Sequence, residues 1–172
     1  MLKIFQKKQF QKKINTYLKK RDVSGLNDSV VTIGFLVDED VFPDFDSLKS
    51  ISKEIGLQEK DMVVFTFMNV KKQLPTLRQN MITNKNFNWK GEINNQNAEE
   101  FLNRSLDVLV GYYQGENLFL DLMVAKSKAK FKVGLKDSDH RLSDLIIDVN
   151  MTKPHKFKKE LVKYLRVLGK IN

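Results

Sequence analysis

With 172 residues, 41% of them hydrophobic and 12 of them Phe, the chain can bury one sizeable core, and the absence of Cys excludes disulfides and thiolate chemistry. Its net charge of +9 sits at the ends: residues 1–21 carry eight basic residues and no acid, and residues 153–170 carry seven against Glu160 alone. That leaves residues 22–152 with 15 basic and 20 acidic side chains, a mildly acidic body between basic ends, which points to an anionic partner before it points to a reaction.

The basic N-terminal segment never reaches an apolar run, because Lys or Gln interrupts it every few positions, so no secretory leader is expected. No later stretch approaches the roughly 20 apolar residues of a spanning helix, and the expected location is the cytoplasm. Phe10, Ile14, Tyr17 and Leu18 follow helical spacing, with Lys8, Lys12 and Lys19 opposite, so residues 1–21 read as a basic amphipathic helix. Leu2 and Phe5 fall off the stripe, which sets the first turn or two apart. Residues 22–28, with Ser24, Gly25 and Asn27, read as a linker, and residues 29–172 as an α/β domain ending in a basic helix.

The β-branched run at residues 30–37 predicts a central strand. Residues 45–55 predict a helix on Leu48, Ile51 and Ile55, stopped by Gly56. Residues 62–68 predict a second strand, 69–86 are too polar to assign, and 87–93 predict a short strand. A helix at 97–104 leads to a strand at 106–112, a nearly all-apolar and hence buried helix at 117–127, and strands at 130–133 and 142–149. Pro154 opens a last helix with Leu161, Leu165 and Leu168 on one side. This alternation predicts a single Rossmann-like or flavodoxin-like three-layer α/β domain, with a mostly parallel sheet flanked by the basic helices.

Ligands of such sheets bind beyond the carboxyl ends of the strands. There the sequence places Asp38, Glu39 and Asp40, then Asn69, and the turn containing Gly115 and Asn117, whose backbone would approach an anion at a helix N-terminus. The carboxylates would suit Mg²⁺, and Leu36-Val37-Asp38-Glu39-Asp40 is similar to the acidic pocket of a response-regulator receiver. However, Gly111-Tyr112-Tyr113 stands where a receiver needs its phospho-accepting aspartate. A solvated loop and a plain tight turn account for the same residues. Asp137, Asp139, His140 and Asp144 match no metal-ligand spacing, and no serine-nucleophile motif, Walker loop or GxGxxG is present, so neither a catalytic residue nor a cofactor is assigned. Phe87 and Trp89, interleaved with amides and lysines, would suit base stacking. Two residues apart in a strand, they more readily face the core together.

The segments Phe87-Asn88-Trp89-Lys90-Gly91, Leu106-Asp107-Val108-Leu109-Val110, residues 125–134 and Leu145-Ile146-Ile147-Asp148-Val149 resemble a family of short bacterial α/β proteins of unknown function, over most of the chain. That resemblance implies a small cytoplasmic protein and carries no site residues with it. The strand, the Asn117 turn, the buried helix and Ser127-x-Ala129-x-x-x-Val133-Gly134 are similar to a βαβ segment in the acceptor domain of heptosyltransferase-like glycosyltransferases.

The leading expectation is a non-enzymatic protein that holds RNA or a ribosomal particle through Lys7, Lys8, Lys12, Lys13, Lys19, Lys20 and Arg21. A second is a nucleotide- or sugar-nucleotide-binding enzyme or sensor, with a pocket around Asp38, Asn69, Gly115 and Asn117. A third is peripheral attachment to an anionic membrane, with Phe10, Ile14, Tyr17 and Leu18 dipping into the interface. The sequence leaves open whether the first helix packs on its own body, on a second copy or on another protein partner.

Overall fold

The computed structural model describes residues 2–72 and 76–172. The unassigned stretch 69–86 therefore falls partly outside the described residues. Six strands, β1 (Ile33–Asp38), β2 (Met62–Met68), β3 (Met81–Thr83), β4 (Val108–Tyr112), β5 (Phe131–Leu135) and β6 (Leu145–Ile147), form one sheet in the order β3-β2-β1-β4-β5-β6, every pair parallel. Five helices accompany them: α1 (Leu2–Lys19), α2 (Ile51–Ile55), α3 (Gln96–Asn103), α4 (Leu118–Lys126) and α5 (Pro154–Val167). The order runs one way through β1, β2 and β3 and the other way through β4, β5 and β6, so the topological switch lies between β1 and β4.

The period-2 alternation of the strands divides the interior into two cores. Ile33, Phe35 and Val37 of β1, with Val108, Val110 and Tyr112 of β4, face Leu48, Ile51, Phe157, Leu161 and Leu165 beneath α2 and α5. Leu36, Phe65, Phe67 and Leu109 face the other side, under α1, α3 and α4. Here Phe119 of α4 meets Phe10 edge-on at 5.5 Å, stacks on Phe67 at 5.4 Å and touches Phe87 at 5.0 Å, which joins helix, sheet and loop in one aromatic cluster. Gly34 permits the close approach of this layer, because a Cβ there would lie 2.5 Å from Leu106 Cδ1.

Several elements differ from expectation for identifiable reasons. The first strand starts at Ile33, because the N–H groups of Val31 and Thr32 are taken by the Asp107 carboxylate, each at 2.9 Å. The helix expected over 45–55 is a 3₁₀ segment, Phe45–Ser50, running into the short α2. Ser47 and Ser50 bond back to the carbonyls of Asp44 and Ser47, at 2.7 and 2.9 Å, and compete with α-helical pairing. Gly56 does end it, in the left-handed conformation at φ 75°. Residues 87–93 are not a strand but a reverse turn closed by a single antiparallel bridge between Phe87 and Ile93. Consequently Phe87 is buried at 8% exposure while Trp89 stands out at 53%, and the two rings do not share the core. Leu168 caps α5 and is half exposed, unlike Leu161 and Leu165.

Candidate nucleic-acid interface

Helix α1 packs on its own body. Phe10 and Ile14 are fully buried, and Tyr17 and Leu18 are partly buried against the same core. It starts at Leu2, so its first turns are continuous with the rest. With its apolar stripe committed inward, the stripe has nothing left to insert into lipid, and the membrane route through Phe10, Ile14, Tyr17 and Leu18 is closed in this fold. Lys3, Lys8, Lys12, Lys19 and Lys20 are exposed and Lys13 is half-buried, and none of them has an ion pair among the described residues. Lys7 alone on this helix pairs, with Glu116 at 2.9 Å, both side chains exposed. From Lys3 to Lys19 the helix spans about 24 Å at its standard rise, and this outer face has no opposing wall, so a partner lies along it rather than in it.

Arg21 does not belong to that row. Its guanidinium grips Asp144 at 2.6 and 2.8 Å and donates to the carbonyl of Lys130, largely shielded from solvent, so it is a tie between the end of α1 and the sheet. The segment 22–28 is likewise pinned. Asp28 pairs with Lys130 at 2.9 Å, and the Lys170 ammonium donates to the carbonyls of Leu26 and Asp28 while lying 4.4 Å from the centre of the Phe131 ring. Two charges of the basic ends, Arg21 and Lys170, thus do internal work that their positions in the sequence did not announce.

The basic ends do not merge into one surface. α1 covers the sheet on the side of α3 and α4, whereas α5 covers the side of α2. At α5, Lys153, which precedes the helix, and Lys156 and Lys159 on it are exposed, Arg166 donates to the Asn172 carbonyl, Lys158 is tied to Ser47 and Ser50, and Lys163 pairs with Glu160. Beside α1, by contrast, the turn carrying Trp89 and Lys90 abuts Phe10, since a Cβ on Gly91 would come within 3.2 Å of its ring. The turn is well ordered: the Asn88 side-chain oxygen accepts from Lys90 and Glu92, at 2.9 and 3.0 Å, and Gly91 supplies the positive φ of 78°. Lys90 Nζ rests 5.4 Å from the Trp89 ring centre.

The carboxyl ends of the strands gather the other candidates only in part. Asn117 caps α4 through its side-chain oxygen, which accepts from Leu120 N–H, and donates its amide to Asp38 at 3.4 Å. Gly115 has φ 74° and open space about it. Asn69 is joined not to Asp38 but to Asp40, its N–H donating at 2.7 Å. Burial, then the neighbouring Asp40, pushes the Asp38 carboxyl up from its ordinary value. Next to Glu116 a cavity of about 240 Å³ is lined by Gln11, Glu116, Asp121, Asp137, Ser138 and Asp139. Tyr113 donates to Asp121 at 2.7 Å, and burial holds Asp121 up to about 6. This edge is therefore strongly acidic. The first crossover offers a 3₁₀ segment and a five-residue helix in place of a long phosphate-binding helix, whereas α4, capped by Asn117, opens at this edge beside the acidic side chains. Among the described residues no group of three or more His, Cys, Asp or Glu is placed to hold a metal ion.

A family model for DUF6913, a family of unknown function, matches residues 3–168. The chain belongs to that family. Nothing matches among curated proteins or among solved structures, so the local likeness to heptosyltransferase-like enzymes has no counterpart there. In this DUF6913 protein the family match takes in nearly all of α1, the whole sheet and all of α5, consistent with a helix built into the domain rather than appended to it. No described helix is long and apolar enough to cross a membrane.

Three buried polar groups escaped the sequence reading. Asp107 holds Val31, Thr32 and Lys130; Tyr113, just after β4, pairs with Asp121 of α4; and Lys132, on β5, is 1% exposed with its ammonium 2.6 Å from the Val124 carbonyl. Only Lys132 left a trace, as the one charge between the apolar residues Phe131 and Val133.

Proposed function

We propose that this is a non-enzymatic cytoplasmic protein that binds RNA or a ribonucleoprotein along the outer face of α1. The observation that carries the reading is the division of that helix: one stripe is locked in the core, while Lys8, Lys12 and Lys19 opposite it are exposed, have no ion pair among the described residues and share the helix with no acid. These lysines stand on a backbone that is already ordered, so contact with phosphates costs only their own side-chain freedom, and Trp89 on its fixed turn supplies one stacking surface for an unpaired base.

The test is single-stranded RNA binding followed by anisotropy as salt is raised. Four lysine contacts predict that affinity falls about 50-fold between about 50 and about 200 mM salt. Lys8→Gln, Lys12→Gln and Lys19→Gln together should abolish most of the binding and flatten the salt slope, with the fold unchanged. Affinity insensitive to these substitutions overturns the reading. Removing residues 1–21 is the wrong experiment, because it strips Phe10, Ile14 and Arg21 from the body.

A second reading draws on Ile4 and Phe5, exposed at the start of α1 among Lys3, Lys7 and Lys8. Two apolar side chains beside a lysine cluster suit an anionic lipid surface. Sedimentation with phosphatidylglycerol vesicles, reduced by Phe5→Ser and accompanied by no RNA binding, would favour it.

A further inference from the structure

At the C-terminal end of α1 the surface changes from convex to concave. A cavity of about 590 Å³ opens between the end of that helix, the end of α3 and the α4–β5 connection. This is within the ordinary range of small-ligand sites, and it lies at the amino ends of the strands, opposite the acidic edge. Its lining combines Lys20, Arg21, Lys126 and Lys128 with one acid, Asp22. Lys126 is neutralised by Glu99 at 2.5 Å and Arg21 by Asp144, whereas Lys20 and Lys128 are exposed with no ion pair among the described residues. Tyr17, Asn103 and Ser105 contribute polar side chains, and Ala125 and Ala129 a floor of small apolar ones.

Arg21 adds a second kind of observation. Its Nε is the one buried side-chain polar atom without a hydrogen-bond partner among the described residues. A buried donor left unpaired is uncommon in a native structure, and it marks the wall of this cavity, to which Arg21 contributes, as incompletely satisfied. The Lys8, Lys12 and Lys19 row also runs toward this cavity, Lys20 being the residue after the helix ends.

We infer that the cavity between Tyr17, Lys20, Ser105 and Lys128 binds a phosphoryl group. Its source is either the 5′-phosphate of an RNA lying along α1 or a free mononucleotide. In the RNA case the inference rests on the interface proposed above, while in the mononucleotide case it stands alone. Lys20 and Lys128 meet the charge, Ser105 and Tyr17 donate to the remaining oxygens, and the alanine floor leaves space for the sugar.

The experiment compares two RNAs of one sequence, one with a 5′-phosphate and one with a 5′-hydroxyl, together with adenosine 5′-monophosphate, by calorimetry and by amide shifts in the full chain. A terminal-phosphate site predicts about a tenfold gain from the 5′-phosphate, lost in Lys128→Ala and in Ser105→Ala and retained in Lys8→Gln. A mononucleotide site predicts saturable binding of adenosine 5′-monophosphate, with shifts at Tyr17, Ser105 and Lys128, even where RNA does not bind. That last result would uphold the cavity and refute the helix interface. RNA binding with no 5′-phosphate effect, and no response to the mononucleotide, would overturn the cavity and leave the interface standing.

Discussion

Arg21 and Asp144 are joined through both terminal nitrogens of the guanidinium, at 2.6 and 2.8 Å, across 123 residues of chain. The pair fastens the end of a helix to the start of β6, and Asp144 also accepts from the backbone N–H of Lys132 at 2.8 Å. Both side chains are mostly shielded, so removing one leaves the other poorly solvated. Arg21→Ala should cost about 3 kcal/mol in urea unfolding. Arg21→Lys should recover only part of that, because an ammonium cannot reproduce the two parallel bonds. A loss below about 0.5 kcal/mol would place the pair among inconsequential surface contacts.

Lys132 predicts an unusual pH response. Burial, with Arg21 nearby adding to it, pulls its ammonium down to about 7, although Asp144 opposes the shift. The folded protein therefore binds fewer protons than the unfolded chain between about pH 7 and the ordinary lysine range, so stability rises with pH there. Chemical unfolding at pH 7 and pH 9 should differ by an amount of order 2 kcal/mol, and Lys132→Met should remove most of that difference. An unchanged pH dependence in Lys132→Met would assign the effect elsewhere.

Asp121 acts in the opposite sense. Its carboxyl, raised to about 6 mainly by burial, binds a proton more tightly in the folded state, so this contribution is complete below the unfolded value near 3.8 and is lost as pH rises through 6. Asp121→Asn keeps an oxygen for the Tyr113 hydroxyl and removes the charge. The variant should melt higher than the parent at pH 8 and level with it at pH 4, read by circular dichroism.

Trp89 is the chain's single tryptophan, and its exposure makes it a reporter. Its fluorescence should be quenched by single-stranded RNA. Trp89→Ala should leave the melting temperature unchanged and weaken RNA affinity by about tenfold, the order of one stacked base, without altering the salt slope. A change in slope would mean that the substitution disturbs the lysine row instead.

The sheet was readable in the sequence because its strands are continuous apolar runs bounded by turns. Met62–Met68 coincides with expectation to the residue, and Asn117 and Ser127 proved to be the caps of the buried helix. β3 was missed because three residues within a polar stretch carry no period. The burial of Phe87 without Trp89 depended on a turn built by the Asn88 side chain, which hydrophobic patterning does not report. The basic helix was readable as a charge pattern. Which of its cations are free was not, because the partners of Arg21 and Lys170 are set by tertiary contacts more than 100 residues away in sequence.

The docking of α1 onto α4 also has a consequence for synthesis. The helix leaves the ribosome about 100 residues before its partner does, which at ordinary elongation rates is an interval of about 5–20 s. During that time Phe10 and Ile14 have no core to enter, and the nascent chain presents a lysine-rich segment with an unsatisfied apolar stripe. Completion of α4 and then of β6 ends the interval, by covering the stripe and closing Arg21 onto Asp144. Early emergence and late docking leave the apolar stripe of this helix uncovered for longer than any other helix face of its layer.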